Sequence, residues 1–517
     1  MRVSSKSKSS TIPDSEQSNR KTSYKRIFTH SSIYIVGMLV SKAIGFIMIP
    51  IYTNYLTPAD YGILELLMMT SDVIAMLIGV GLAHAVLRFY YNYESIDDQK
   101  QLVSTALIAG ILIFGCIFGA LLLSGNLVSR LILGSAEYSS YFDLVFITMM
   151  FFAGIEIPLV FLRAKQRSLY FVAVNLVKLI LQLSLNIYLI VVLDWGILGV
   201  LYSSLISSIL VSAYLSISTF RETGIHFSAN KFREMLSYGY PLIFTNLGAF
   251  MLTYSDRYFL KYFTDLSEVG IYSLGYKFGM MVSILLIGPF LQFWSAEMFA
   301  AAKREDAKKV FKDFFTYSTI FSVFFCLCLS LYIREVIELI AMESYWRAST
   351  VVPLVCLAYI FTGMHGFAIC GILIRKRTKL LAYSTAYAVA ANVILNLMLI
   401  PSLGATGAAL ATIGSFWIRF YTAYRYSQGL FPLQYEWRRI NTAIALAISL
   451  VIAVQFITSF SLLIRLALDT MLFIIYPVIL WMFGWFHEHE KEFLVRVLKN
   501  PIQIMEYIGS LREKIAK

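Results

Sequence analysis

Five charged residues sit where an apolar sequence gives them little company. Lys42, Asp72, the adjacent Asp256 and Arg257, and Lys277 each lie inside a run hydrophobic enough to cross a bilayer. An ionised side chain at bilayer depth costs at least about 2.5 kcal/mol on insertion scales, so such residues face protein or water and mark a pathway or a binding site. Cations held there suit an anionic ligand, whereas carboxylates suit a proton or a monovalent cation. At about 1.5 Å of rise per residue, Lys42 and Asp72 fall near mid-membrane on consecutive helices. Asp256 and Lys277 share a depth on a second consecutive pair. Each Lys–Asp pair either neutralises itself or does work. Arg257 has no opposite charge left over at its depth, which points to an anionic ligand or a gate.

Other residues join this set by spacing. His84 and Arg88 are four apart, so one helix face presents both, as an interfacial pair or as part of a binding surface. Glu156 precedes Pro158 by two residues and either caps a kink or joins a proton path. Lys178 and Arg419 are further charges inside apolar runs. Gly275 and Gly279 form a small-residue face for close helix packing, and Lys277 lies about 200° around the same helix, aimed away from it. Arg163-Ala164-Lys165-Gln166-Arg167 and Arg375-Lys376-Arg377-Thr378-Lys379 are basic loops that anchor topology and could also attract diphosphate headgroups.

The elements that position these charges are pairs of apolar helices joined by a polar corner. One pair runs from about Tyr240 to Leu260 and from about Ile271 to Trp294, with the corner Tyr262 to Gly270 between them. The corner Tyr55 to Ile63 repeats this arrangement with one residue fewer. Gly62 and Gly270 are 208 positions apart, and so are Gly196 and Gly404, and Gly199 and Gly407. Leu185-Asn186-Ile187-Tyr188-Leu189 is echoed by Leu395-Asn396-Leu397-Met398-Leu399. A duplicated unit of about 200 residues follows, and parallel duplication of a helical block is a recurrent transporter architecture.

The chain is 58% hydrophobic and 14% charged with a mean hydropathy of +0.71. Soluble domains carry roughly 25% charged residues, so the class is an all-α integral membrane protein. About fourteen segments are long enough to span a bilayer. They are arranged as two six-helix lobes, 30–230 and 231–430, followed by two helices over 431–485. A polar tail occupies 1–29 and an amphipathic tail 486–517. Of the 43 Lys and Arg residues, 33 fall on one side of this array, 5 on the other and 5 inside it. Positive residues mark the cytoplasmic side, so both termini are expected there. The net charge of +12 is thereby a topology signal, and nucleic acid is not an expected partner. The five cysteines lie in apolar segments without metal-ligand spacing, and His487-Glu488-His489 has no further ligands beside it. No P-loop, Gly-x-Ser-x-Gly or His-Glu-x-x-His motif is present, which argues against ATP hydrolysis and against an enzyme of those classes.

Asp256-Arg257-Tyr258-Phe259-Leu260 followed by Val269-Gly270-Ile271-Tyr272, and Tyr61-Gly62 after Leu56-Thr57-Pro58, resemble signatures of bacterial polysaccharide exporters. These are the Wzx-type lipid-linked oligosaccharide flippases of the MOP (MATE-like) superfamily, and the resemblance covers about Ser31 to Trp485. Asn54 departs from it, standing where relatives often carry Arg after Thr. The resemblance implies a non-enzymatic flippase of the bacterial inner membrane. It would work by alternating access around a central cavity between the lobes. The cargo would be a polyprenyl-diphosphate oligosaccharide, an O-antigen or exopolysaccharide repeat unit. Lys42, Arg88, Arg257 and Lys277 are then the substrate-binding candidates; Asp72, His84, Asp256 and Glu156 are the coupling or gating candidates. No cofactor is expected, and H+ or Na+ is the candidate coupling ion. Besides the lipid bilayer, polysaccharide polymerase and glycosyltransferases are candidate partners. The alternatives are a multidrug or cation antiporter of the same superfamily and a membrane-embedded polysaccharide polymerase or ligase.

Overall fold

The computed structural model describes residues 45–78, 80–455 and 460–492. Lys42 lies outside them, as do the tail over 1–29, the start of the first lobe over 30–44 and residues 493–517 of the second tail. Among the described residues the chain is helical with no strand. Two compact units are formed. Unit 1 takes the chain to Ser273 together with Ile340–Tyr345 and Asn396–Ala408, and unit 2 takes Leu274–Leu339, Trp346–Leu395 and the chain from Ala409 onward.

Unit 1 begins with α1 (45–55). It continues through α2 (Pro58–Ile78), α3 (Val80–Tyr90), α4 (Ile96–Leu122), α5 (Gly125–Leu133), α6 (Ser139–Met150) and α7 (Phe152–Ala164). Then follow α8 (Ser168–Ile187), α9 (Gly196–Thr223), α10 (Ala229–Tyr254) and α11 (Asp256–Phe263). A π-helical turn, Tyr188–Val192, extends α8. The helix α12 (Leu266–Val282) starts in unit 1 and ends in unit 2. Unit 2 adds α13 (Gly288–Ala301), α14 (Ala307–Ile340), α15 (Ala348–Ala368), α16 (Cys370–Ile374), α17 (Lys379–Leu430), α18 (Trp437–Val454) and α19 (Leu462–Met482). The last residue of α14, Ile340, and the middle of α17, Asn396–Ala408, belong to unit 1.

Ten of these segments are long and apolar enough to cross a membrane, and α2 with α3 forms an eleventh, bent by 45°. The expectation of about fourteen differs for identifiable reasons. The first span falls partly outside the described residues. The expected spans near 380–400 and 404–425 are two helices that meet at Gly404, where the backbone leaves the helical region (φ 52°, ψ −130°), and are numbered together as α17. The span expected over 235–260 is broken at Ser255 into α10 and α11. Large apolar side chains such as Leu123, Leu339 and Met482 are exposed, as a surface in contact with lipid requires.

The duplication is visible in local geometry. Gly196 and Gly404 have nearly the same left-handed φ, 53° and 52°. Gln166 and Lys376, 210 residues apart, share φ 55° in the same turn. In that turn the Arg167 amide donates to the Leu162 carbonyl at 3.0 Å and the Arg377 amide to the Ile372 carbonyl at 2.9 Å. The two corners also meet each other inside unit 1. A Cβ on Gly62 would overlap the Leu266 carbonyl oxygen, and a Cβ on Gly270 would overlap the Pro58 carbonyl oxygen. Only glycine on both sides permits this crossing.

Candidate functional site

Asp256 and Arg257 open α11, just after the turn at Ser255, whose backbone stays in the right-handed helical region at φ −65° and ψ −26°. On a continuous helix, adjacent side chains diverge by about 100° and do not meet. Here α11 restarts at Asp256, and the Arg257 Nη1 donates to Asp256 Oδ1 at 2.7 Å and to the Thr253 carbonyl at 2.8 Å. Tyr272 donates its hydroxyl to Asp256 Oδ2, and its ring lies 4.8 Å below the guanidinium. Asp256 and Arg257 are each only 2% exposed. The expectation that Arg257 stands without a partner is therefore corrected: its partner is its own neighbour. Gly270 and Tyr272 explain the Gly-x-Tyr signature physically. The glycine lets the corners cross, and the tyrosine closes the ion pair.

A second cluster lies along α2 and α3. Asp72 is exposed, with Glu65 as the carboxylate whose charge acts on it. Thr70, two residues earlier, shares a hydrogen bond of 3.1 Å with the Tyr258 hydroxyl of α11. His84 and Arg88 are both exposed and lie on one face of α3, as their spacing requires. The Arg88 guanidinium stacks 4.5 Å over the Tyr238 ring of α10 and 5.9 Å from the Phe89 ring. Among the described residues, no carboxylate lies within ion-pair distance of Arg88. Glu156 is 3.5 Å from Arg163 and is the carboxylate whose charge reaches Lys178. The Asn54 amide donates to the Pro50 and Ile340 carbonyls at 2.6 and 3.0 Å, a local tie in place of a cation.

Lys277 belongs to unit 2 and is half-buried. The flanking glycines pack against α15 as their spacing predicts. A Cβ on Gly275 would lie 2.6 Å from the Ala348 carbonyl oxygen, and one on Gly279 would lie 2.5 Å from Val355 Cγ1. Lys277 is on the other side of the helix. Of the sequence-derived candidates, unit 1 thus brings Asp72 near Tyr258 and ties Asp256 to Arg257; Lys277 is placed in the other unit. Tyr238, Tyr258, Tyr272 and Thr70 were not among the candidates. Two of these tyrosines stand inside the quoted signatures, which was the available signal. Among the described residues, no group of three or more His, Cys, Asp or Glu is placed to hold a metal ion.

A family model described as polysaccharide biosynthesis protein matches residues 28–292. An uncharacterized membrane protein of Methanocaldococcus jannaschii is 21% identical over 75% of this chain and 81% of its own length. The Lsg locus putative protein 1 of Haemophilus influenzae is 23% identical over 50% of this chain and 63% of its own. The fold is similar to the lipid II flippase MurJ in an inward closed conformation, with a TM-score of 0.69, 14% identity, and 87% and 98% of the two chains covered. It is also similar to an inward-facing MATE-family multidrug transporter of the MOP superfamily, with a TM-score of 0.61, 13% identity, and 79% and 98% covered. A multi-pass membrane chain with this fold, carrying the matched segment over half its length, belongs to the polysaccharide biosynthesis protein family.

Proposed function

We propose that this chain flips a polyprenyl-diphosphate-linked oligosaccharide across the bacterial inner membrane by alternating access of two lobes. Both termini are cytoplasmic in this reading, and the repeat unit is that of an O-antigen or exopolysaccharide. The observation that carries the reading is Arg88. It is an exposed cation at the end of an apolar helix, oriented by an aromatic ring and, among the described residues, not neutralised by a carboxylate. An arginine held this way presents its donors to a phosphate, whose oxygens its planar fork matches. Lys277 on α12 adds positive charge, and Lys42 is a further cation of the sequence. Asp72, His84, Asp256 and Glu156 are the groups through which H+ or Na+ coupling would act. Glycosyltransferases would supply the cargo and a polymerase would consume it.

Charge-assisted contacts contribute about 1.5–3 kcal/mol, or roughly tenfold to a hundredfold in affinity. Arg88→Ala and Lys277→Ala should therefore lower glycan export by about tenfold or more while leaving membrane protein amounts near normal. Surface glycan is measured beside protein abundance. Normal export in both variants contradicts the proposal, and export of cationic drugs in its place supports the antiporter alternative.

A further inference from the structure

The face that α8 and α9 turn outward in unit 1 changes character along its length. Positions 210, 214, 217 and 221 of α9 are four, three and four apart, so Leu210, Tyr214, Ile217 and Arg221 form one stripe. All four are exposed, the first three by more than half. On α8, Leu169, Val177 and Ile180 are exposed as well. Apolar side chains left open on a membrane span lie against acyl chains. The stripe ends at a cavity of about 410 Å³ lined by Tyr214, Ile217, Ser218, Arg221 and Glu222. Beside it the Tyr170 hydroxyl of α8 and the Tyr214 hydroxyl share a hydrogen bond of 2.8 Å. Tyrosines with an apolar body and a wet tip are typical of the headgroup level of a bilayer.

The rim of this cavity carries surplus positive charge. Glu222 is committed to the loop before α8: Arg167 Nη1 and Nη2 donate to its two oxygens at 3.1 Å each, and Lys165 Nζ donates to Oε1. Arg221 lines the cavity and makes no ion pair among the described residues. Three cations, Lys165, Arg167 and Arg221, therefore face one carboxylate, Glu222, and leave a net charge of +2 (3 − 1). An apolar stripe that ends in a cationic, hydroxyl-bearing cavity matches an amphiphile with a negative headgroup. A zwitterionic headgroup would bring a further cation to this rim, and a free phosphate has no tail to lay on the stripe. A guanidinium fork fits phosphate oxygens. We propose that this groove binds one anionic phospholipid, its phosphate on Arg221 and Ser218 and its acyl chains along Ile217, Tyr214 and Leu210. The Lys165–Glu222–Arg167 clamp ties the end of α9 to the loop before α8, so a lipid seated there fastens the α8–α9 hairpin. The site is separate from Arg88 on α3 and independent of the cargo proposed above.

The test is native mass spectrometry of the full-length protein released from micelles that hold equal amounts of phosphatidylglycerol and phosphatidylcholine. Tm is measured in the same micelles. The expected result is one phosphatidylglycerol retained per chain in preference to phosphatidylcholine. Arg221→Gln, a change at an exposed position, should lower that retention about fivefold, the share that one cation contributes near an anionic headgroup. Phosphatidylglycerol should raise the Tm of the wild type and raise that of Arg221→Gln less. Arg88→Ala should retain the lipid as the wild type does. Equal retention of the two lipids, or unchanged retention in Arg221→Gln, overturns the proposal. So does an equal loss in Arg88→Ala, which would place the lipid at the cargo site. A matching Tm rise with inorganic phosphate overturns it in favour of a soluble anion, and a lipid-free dimer gives the face to a second copy of the chain.

Discussion

Arg257 is held by groups that its own sequence neighbourhood supplies, and this separates its structural role from any role in binding. With Asp256, Thr253 and Tyr272 around it, the guanidinium is buried and satisfied on the faces those groups occupy. Removing one member of a buried pair strands the other and costs about 3–5 kcal/mol. Arg257→Ala should therefore lower the amount of folded protein extracted from membranes before any transport defect can be read. Replacing both ends with apolar side chains is often neutral, so Asp256→Leu with Arg257→Met should recover abundance. If the double variant also restores glycan export, the pair is purely structural. If it folds and does not export, Arg257 touches cargo or gates its path. Arg88 carries no such burden, because its exposed side chain can be cut back without stranding a carboxylate.

At the scale of elements, the crossing of the two corners is the tightest packing that the duplicated signatures make. Gly270→Ala would drive a methyl group into the Pro58 carbonyl oxygen. The two helix starts must then separate, at a cost of about 1–3 kcal/mol or more. Gly115→Ala is the control, since nothing lies within 4 Å of a Cβ added there. Helix propensity alone makes that change neutral or favourable by up to about 1 kcal/mol. Tm in detergent should fall for the first variant and not for the second. These glycines were legible in the sequence because a fixed offset of 208 singles them out. The matched turns at Gln166 and Lys376 were not, because a left-handed non-glycine residue leaves no mark in a basic loop read for topology. The partner of Arg257 was also hidden. Charge pairing in a bundle is expected across helices, whereas Arg257 reaches back to its own neighbour Asp256. The all-helical, multi-span class was legible as hydropathy, whereas the boundary at Gly404, where the backbone leaves the helical region, was marked only by a glycine.

At the scale of the whole chain, the charged residues near the ends of the spans tie distant segments together within each unit. Glu436, just before α18, accepts from Lys312 at 2.8 Å and from Arg439 at 2.7 Å, and Arg439 binds Glu490 at 2.8 Å. Partial burial pushes the Glu436 carboxyl up, but the hydrogen bonds and charges of Lys312 and Arg439 outweigh it and hold the group down at about 2. A depressed carboxylate contributes stability that is complete above its unfolded value and lost as pH falls through the folded one. Unit 2 should therefore lose stability between about pH 4.5 and pH 2. Glu436→Gln should flatten that acid slope and cost about 1–2 kcal/mol at neutral pH after solvent screening. Tm against pH for the two proteins checks both statements.

The central claim, that this chain moves a diphosphate-linked oligosaccharide, is tested most directly in proteoliposomes. Purified protein is reconstituted with a fluorescent polyprenyl-diphosphate oligosaccharide, and the fraction exposed to an outside quencher is followed in time. The account predicts protein-dependent equilibration between leaflets that slows about tenfold or more in Arg88→Ala and is competed by the unlabelled diphosphate lipid. Exchange no faster than in protein-free liposomes, or an unchanged rate in Arg88→Ala, would contradict it.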